Sequence, residues 1–107
     1  MNDKSLAVIV NPMSGWGRSR RIFKTTLAVL SRMGLLFSVW ESRKPGDNLK
    51  HAFELTRGNS ADTIIVIGGD GTVHEVVNGI LHAPSSAKPK LAIIPAGSSN
   101  DIAQSLS

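Results

Sequence analysis

The chain has 107 residues, the length of a single domain, because a second hydrophobic core would not fit. Apolar residues make up 41% of it, which excludes a disordered chain, and the absence of cysteine excludes disulfides and thiolate metal sites. Twelve basic against eight acidic residues give a net charge of +4, and such a surface attracts anions such as phosphate groups.

The sequence carries no clear targeting or nucleic-acid-binding signal. The N-terminal apolar run, Leu6–Val10, is too short for a signal peptide, and no stretch approaches the ~20 apolar residues that span a bilayer. Zinc-finger spacing, a basic tail and the aromatic–basic strands of nucleic-acid modules are all missing. We therefore expect a cytoplasmic chain without a nucleic-acid partner.

Strands and helices alternate along the chain. Apolar and β-branched runs predict four strands, at Leu6–Val10, Leu36–Ser42, Thr63–Ile67 and Leu91–Ile94. Apolar residues at helical spacing predict intervening helices at Arg18–Met33, Leu49–Arg57 and Val73–Leu81, and the start of a fourth at Asp101–Ser107. Asp47 is positioned to cap the second helix. This order predicts an α/β fold, a parallel sheet of about four strands with helices on both faces in three layers.

Three loops rich in glycine and small hydroxyl residues follow predicted strands, at Asn11–Gly17, Gly68–Thr72 and Pro95–Asp101. In a parallel sheet such loops meet at one edge, and each precedes a helix whose N-terminal N–H groups can bind an anion. No glycine is followed by lysine, which excludes a Walker loop. A dinucleotide fingerprint is weaker, because Arg20 stands where the third glycine is needed for helix–strand packing.

Asp70 is the strongest candidate for chemistry. A carboxylate among backbone donors can hold Mg²⁺ or accept the proton of a substrate hydroxyl. The structural alternative is a helix cap, with Thr72 and Glu75 forming a capping box. The three histidines have no metal-ligand spacing and are expected to face solvent or to pack against neighbours: His51, His74 and His82.

Four segments in order carry a family resemblance: Asn11-Pro12-x-Ser14-Gly15-x-Gly17, Pro45-Gly46-Asp47, Gly68 to Gly79, and Ile94-Pro95-Ala96-Gly97-Ser98-x-Asn100-Asp101. They resemble the diacylglycerol kinase catalytic-domain family, which includes bacterial lipid kinases, sphingosine kinases and ceramide kinases and is related to NAD kinases. The resemblance implies ATP-dependent phosphorylation of a lipid hydroxyl, of the diacylglycerol or sphingoid type, with Mg²⁺.

The resemblance also implies roles for residues at matching motif positions. Asp70 would be the essential acid and the metal ligand. The nucleotide would be bound by Asn11, Ser14, Gly15, Gly17, Ser42, Gly68, Gly69, Asp70, Gly71, Thr72, Glu75, Gly97, Ser98 and Asn100. Ser98 and Ser99 depart from the family pattern, which has Thr-Gly there, and a side chain at Ser99 would hinder the approach of phosphate to the backbone.

Family enzymes continue into a second, β-rich domain that supplies the lipid pocket. The resemblance therefore implies that residues 1–107 are the truncated N-terminal, nucleotide-binding domain of a two-domain kinase, with peripheral membrane contact by the whole enzyme. We expect negligible lipid phosphorylation by this chain alone, and a homo-oligomer formed through apolar surface near the last strand. The alternatives are a non-catalytic nucleotide-binding module and an NAD kinase-related domain.

Overall fold

The computed structural model describes residues 5–12 and 17–96. Seven elements alternate in the order β1 (Leu6–Val10), α1 (Arg18–Arg32), β2 (Phe37–Glu41), α2 (Asp47–Arg57), β3 (Thr63–Gly68), α3 (Asp70–His82) and β4 (Lys90–Pro95). The strands form one sheet in the order β2-β1-β3-β4, and all three pairings are parallel. The predicted parallel α/β fold is confirmed.

The two central strands, β1 and β3, divide the core into two layers. Successive side chains of a strand point to opposite faces, so a continuous apolar run serves both layers. One layer, between the sheet and helices α2 and α3, contains Ala7, Ile9, Ala52, Leu55, Ala61, Ile64, Val66, Val76 and Ile80. The other layer faces α1 and contains Val8, Val10, Leu30, Ile65, Ile67 and Ala96. Helices thus cover both faces of the sheet, as predicted.

Helices α2 and α3 pack closely because Gly79 has no side chain. A Cβ at this position would collide with the carbonyl oxygen of Leu49 and would lie 2.8 Å from the Cβ of Ala52. The contact is therefore made between the two backbones. It brings the first half of α2 against the second half of α3.

Several boundaries differ from the sequence predictions. Strand β2 is one residue shorter at each end than Leu36–Ser42, and Leu36 is 82% exposed at this outer strand. Helix α1 ends one residue before Met33. Helix α3 begins at Asp70, so part of the predicted loop forms its first turn. The predicted helix at 101–107 lies outside the described residues, and none of the described helices is long and apolar enough to cross a membrane.

Candidate functional site

The direction of the chain crossover reverses between β1 and β3. From β1 the chain passes to β2 on one side, and from β2 it returns across β1 to β3 on the other. Val10, at the end of β1, pairs with both Glu41 and Ile67, so the ends of the three strands lie together. A crevice at the carboxyl ends of the strands, where the strand order reverses, is the usual ligand position in open α/β sheets.

A cleft of about 350 Å³ opens at this edge of the sheet. It lies between the loop that joins β2 to α2 and the first turns of α3, with the end of β1 behind it. The cleft is lined by Asn11, Arg43, Lys44, Pro45, Asn48, Gly71, Thr72 and Glu75. Four of these had been predicted to bind nucleotide: Asn11, Gly71, Thr72 and Glu75. The structure therefore brings residues from distant parts of the sequence into one cavity.

Asp47 gives the β2–α2 loop its shape. Its carboxylate oxygen Oδ2 accepts hydrogen bonds from the backbone N–H groups of Arg43, at 2.9 Å, and Lys44, at 3.2 Å. The bond from Arg43 is the main reason why the pKa of Asp47 lies below its ordinary value of 3.8. The prediction that Asp47 caps α2 is wrong, because Gly46, in the left-handed region at φ 93°, takes the cap position and Asp47 bonds backward to the loop.

The N-terminus of α3 borders the cleft, and two glycines near it differ in the space that a side chain would have. A Cβ on Gly68 would lie 2.6 Å from the Cβ of Thr72, so the end of β3 accepts only glycine without rearrangement. A Cβ on Gly71 would meet nothing within 4 Å, because Gly71 faces the cleft. Backbone N–H groups in the first turn of a helix lack intrahelical partners, so this turn offers donors to an anion.

Three polar side-chain atoms at or beside the cleft are buried without a hydrogen-bond partner among the described residues. They are Ser42 Oγ, Asn48 Oδ1 and Glu75 Oε1. Ser42 is 1% exposed and Asn48 is 5% exposed, while the Ser42 backbone N–H donates to the carbonyl of Val10 at 2.9 Å. Buried polar groups without partners are rare in native proteins, so their clustering here indicates a place for a ligand.

Positive charge lies at the rim of the same cleft. Arg43 and Lys44 are exposed, and neither forms a salt bridge within the described part of the chain. Two unpaired cations beside a helix N-terminus make this side of the cleft favourable for phosphate. The Glu75 carboxylate, one turn into α3, makes the deeper side unfavourable for the same group.

The remaining predicted site residues within the described part of the chain do not line the cleft: Gly17, Ser42, Gly68, Gly69 and Asp70. Gly17 is the N-cap of α1, Gly69 is the N-cap of α3, and Asp70 is exposed at the first position of α3. The capping-box prediction for α3 is wrong, since no side chain caps the helix and Glu75 Oε1 has no partner. The other predicted residues lie outside the described residues: Ser14, Gly15, Gly97, Ser98 and Asn100.

The histidines stand apart from the cleft lining, and the described residues contain no cluster of three acidic or histidine groups suited to a metal. His51 contacts the Glu41 carbonyl at 3.0 Å and lies 5.4 Å from the ring of Trp40. His82 contacts the carbonyl of Asn78 at 2.7 Å. His74 is exposed. Their predicted roles as packing or solvent-facing residues are confirmed.

Sequence reasoning missed four residues that line the cleft: Arg43, Lys44, Pro45 and Asn48. One signal was available, since a basic pair directly follows a strand that ends at the same edge as the glycine-rich loops. Asn48 carries no such signal, because a polar residue in the first turn of a helix usually faces water. Asn48 is nevertheless 5% exposed, and the residue after it, Leu49, contacts Gly79 of α3.

Comparison with known proteins agrees with this architecture. The family model for the diacylglycerol kinase catalytic domain matches residues 5–107. A diacylglycerol kinase of Staphylococcus haemolyticus is 40% identical over 103 residues, which cover 96% of this chain and 30% of the relative. A diacylglycerol kinase of Staphylococcus aureus is 38% identical, with 32% of the relative covered.

Solved structures give the same result at the level of the fold. The crystal structure of a diacylglycerol kinase from Bacillus anthracis str. Sterne superimposes with a TM-score of 0.73 at 35% identity, and the match covers 97% of this chain and 36% of that one. A second structure from that organism superimposes with a TM-score of 0.78. The chain spans about a third of the length of these relatives. It belongs to the diacylglycerol kinase catalytic domain family.

Proposed function

We propose that this chain is the ATP-binding part of a lipid kinase that transfers the γ-phosphoryl group of ATP to a lipid hydroxyl, of the diacylglycerol or sphingoid type. One observation carries the proposal: the cleft at the strand-order reversal combines a helix N-terminus, two rim cations and two buried polar atoms without partners, Asn48 Oδ1 and Glu75 Oε1. Membership of the diacylglycerol kinase family supports the reaction type. The choice of a lipid substrate rests on the diacylglycerol kinases that the chain resembles and not on the shape of the cleft.

The phosphates of the nucleotide would lie against the first turn of α3. Gly71 leaves open space there, so phosphate oxygens can approach the backbone N–H groups. Lys44 and Arg43 stand on the opposite side of the cleft, and their charge offsets that of the phosphates. Binding in this arrangement orients the phosphoryl chain, which is the main task of a protein that catalyses phosphoryl transfer.

Asp70 would act at the reacting end of the nucleotide. Its carboxylate is exposed at the first position of α3 and would hold Mg²⁺ through an oxygen atom, the type of ligand that this ion prefers. When bound, Mg²⁺ would neutralise charge that develops on the transferred phosphoryl group. In this proposal Asp70 would also accept the proton of an incoming hydroxyl. The lipid itself would be presented by parts of the enzyme beyond this chain, at the surface of a cytoplasmic membrane.

Calorimetric titration of the chain with ATP and Mg²⁺ tests the proposal. We expect saturable binding by the unaltered chain and markedly weaker binding by Asp70→Asn. The control is Glu54→Gln, which removes the same charge from an exposed surface pair with Arg57. If the unaltered chain shows no binding, the proposal is overturned. If both variants bind like the unaltered chain, the role of Asp70 is overturned.

A further inference from the structure

We propose that Asn48 determines nucleotide specificity in this cleft. In this proposal the side-chain carbonyl of Asn48 accepts a hydrogen bond from a ribose hydroxyl, so that the chain prefers ribonucleotides to deoxyribonucleotides. The inference rests on the proposed binding of ATP in the cleft. It specifies the ribose as the part of the ligand that is recognised. Asn48 is not among the residues that the sequence predicts to bind nucleotide.

The first observation is that the side-chain carbonyl of Asn48 has no hydrogen-bond partner among the described residues. The residue is 5% exposed, it lines the cleft, and its Oδ1 atom has no hydrogen-bond partner among the described residues. An amide carbonyl can accept two hydrogen bonds, so a buried one without a partner lacks what water would have supplied. The cleft is the open space beside it. A ligand with a hydrogen-bond donor would therefore complete this site.

The second observation is the neighbour across the cleft. Glu75 Oε1 is also buried without a partner, and a carboxylate is an acceptor only. The close contact of Gly79 with Leu49 brings the start of α2 against the turn of α3 that follows Glu75. Asn48 and Glu75 both line the cleft, so it contains two acceptors without partners. The group that lies between them has to donate hydrogen bonds, which phosphate oxygens cannot do.

The third observation is the spacing along α3. Gly71 and Glu75 are four residues apart, which is a rise of about 6 Å along the helix axis. A nucleotide whose phosphate lies at the helix N-terminus would place its sugar at a comparable depth. The ribose carries two hydroxyl donors, and a carboxylate is a common partner of ribose hydroxyls in nucleotide sites. The amino group of adenine also donates, and an asparagine amide can pair with an adenine edge, so the test below distinguishes the sugar from the base.

The test compares the affinities of ATP, 2′-deoxy-ATP and 3′-deoxy-ATP by calorimetry, with Mg²⁺ present throughout. Loss of one hydrogen bond to a buried acceptor corresponds to roughly a five- to tenfold weaker Kd. We expect the unaltered chain to bind ATP more tightly than at least one deoxy analogue by such a factor. Asn48→Ala is expected to remove this preference. Asn48→Asp keeps an acceptor at the same position and is expected to retain the ratio, although the added charge weakens binding of all three nucleotides.

Thr56→Val provides the matched control. Thr56 lies on the same helix, is 1% exposed, and its Oγ1 is likewise buried without a partner, but it does not line the cleft. Its variant is expected to keep the preference of the unaltered chain for ATP. If Thr56→Val changed the preference as much as Asn48→Ala does, the assignment to Asn48 would be wrong. Circular dichroism melting establishes that each variant is folded.

The remaining outcomes separate this inference from the proposed function. Equal affinity of the unaltered chain for all three nucleotides would overturn the inference and leave ATP binding intact. If Asn48→Ala changed the relative affinities of ATP and inosine triphosphate but not those of ATP and the deoxy analogues, Asn48 would contact the base. That result would also overturn the inference. Failure of every nucleotide to bind would overturn both.

Discussion

Replacement of Gly71 by alanine separates folding from nucleotide binding. Gly71 is exposed in the first turn of α3, and a Cβ there meets nothing within 4 Å. Alanine is favoured over glycine in helices by up to ~1 kcal/mol, so the variant should be at least as stable as the unaltered chain. For a domain of this size, 1 kcal/mol raises Tm by roughly 4–8 °C. The gain will be smaller here, since the residue lies near the helix end.

The same methyl group would occupy the space through which a phosphate reaches the backbone of α3. Loss of one charge-assisted hydrogen bond costs about 1.5–3 kcal/mol, which corresponds to an ATP affinity weaker by a factor of roughly ten or more. The assay is thermal melting of Gly71→Ala with and without ATP and Mg²⁺, together with calorimetric titration. We expect the free variant to melt no earlier than the unaltered chain and to gain less from the nucleotide.

Gly68→Ala is the contrasting variant. Its Cβ would lie within 2.8 Å of three atoms of Thr72, so the strand end or the helix start has to move. Such overpacking costs about 1–3 kcal/mol, and the free variant should melt earlier. If Gly71→Ala bound ATP as tightly as the unaltered chain, the phosphates would not lie against this turn.

Three further predictions follow from packing and charge. Gly79→Ala should destabilise the fold by about 1–3 kcal/mol in thermal melting, because its methyl group meets the backbone of α2 at Leu49; an unchanged Tm would contradict the close crossing. Lys44→Ala should weaken ATP binding more at low salt than at high salt, because salt screens charges. Lys90→Ala, at the opposite end of the sheet, should show no such salt-dependent loss of ATP binding. Strand β4 is an edge of the described sheet and leaves Ile93 36% exposed, so we predict self-association through this strand, and sedimentation as a monomer at high concentration would contradict it.

The fold could be predicted because its central strands are unambiguous. Runs such as Ala7–Val10 and Ile64–Ile67 are apolar at every position, which suits only a strand buried on both faces. Strand β2 was harder to delimit, since none of the side chains in this outer strand is fully buried and its ends carry weaker signals. Leu36 illustrates the point, as an apolar residue that lies outside the strand and is 82% exposed.

The candidate site could be predicted only where the backbone determines it. Glycine-rich turns such as Gly68 and Gly69 indicate a place where main chain approaches a ligand, and they lie at the expected edge of the sheet. The side chains that complete the cleft depend on how α2 crosses α3. Gly79 contacts Leu49, the residue after Asn48, although Gly79 and Asn48 are 31 positions apart in the sequence. Local patterns contain no information on such a contact.

The last prediction concerns the pH dependence of the loop that carries Arg43 and Lys44 to the cleft. The bond from the backbone N–H of Arg43 is the main reason why the pKa of Asp47 is lowered in the folded chain, and the bond from Lys44 adds to it. A lowered folded pKa gives a stabilisation that is complete above the unfolded value, 3.8, and is lost as pH falls through the folded pKa. We therefore expect the amides of Arg43 and Lys44 to lose protection from hydrogen exchange below pH 3.8, after correction for intrinsic exchange. Asp47→Ala should lack this protection at every pH, and Asp47→Asn, which has no titrating group, should show protection that does not vary with pH. Equal protection in the unaltered chain and in Asp47→Ala would mean that the carboxylate does not hold the loop.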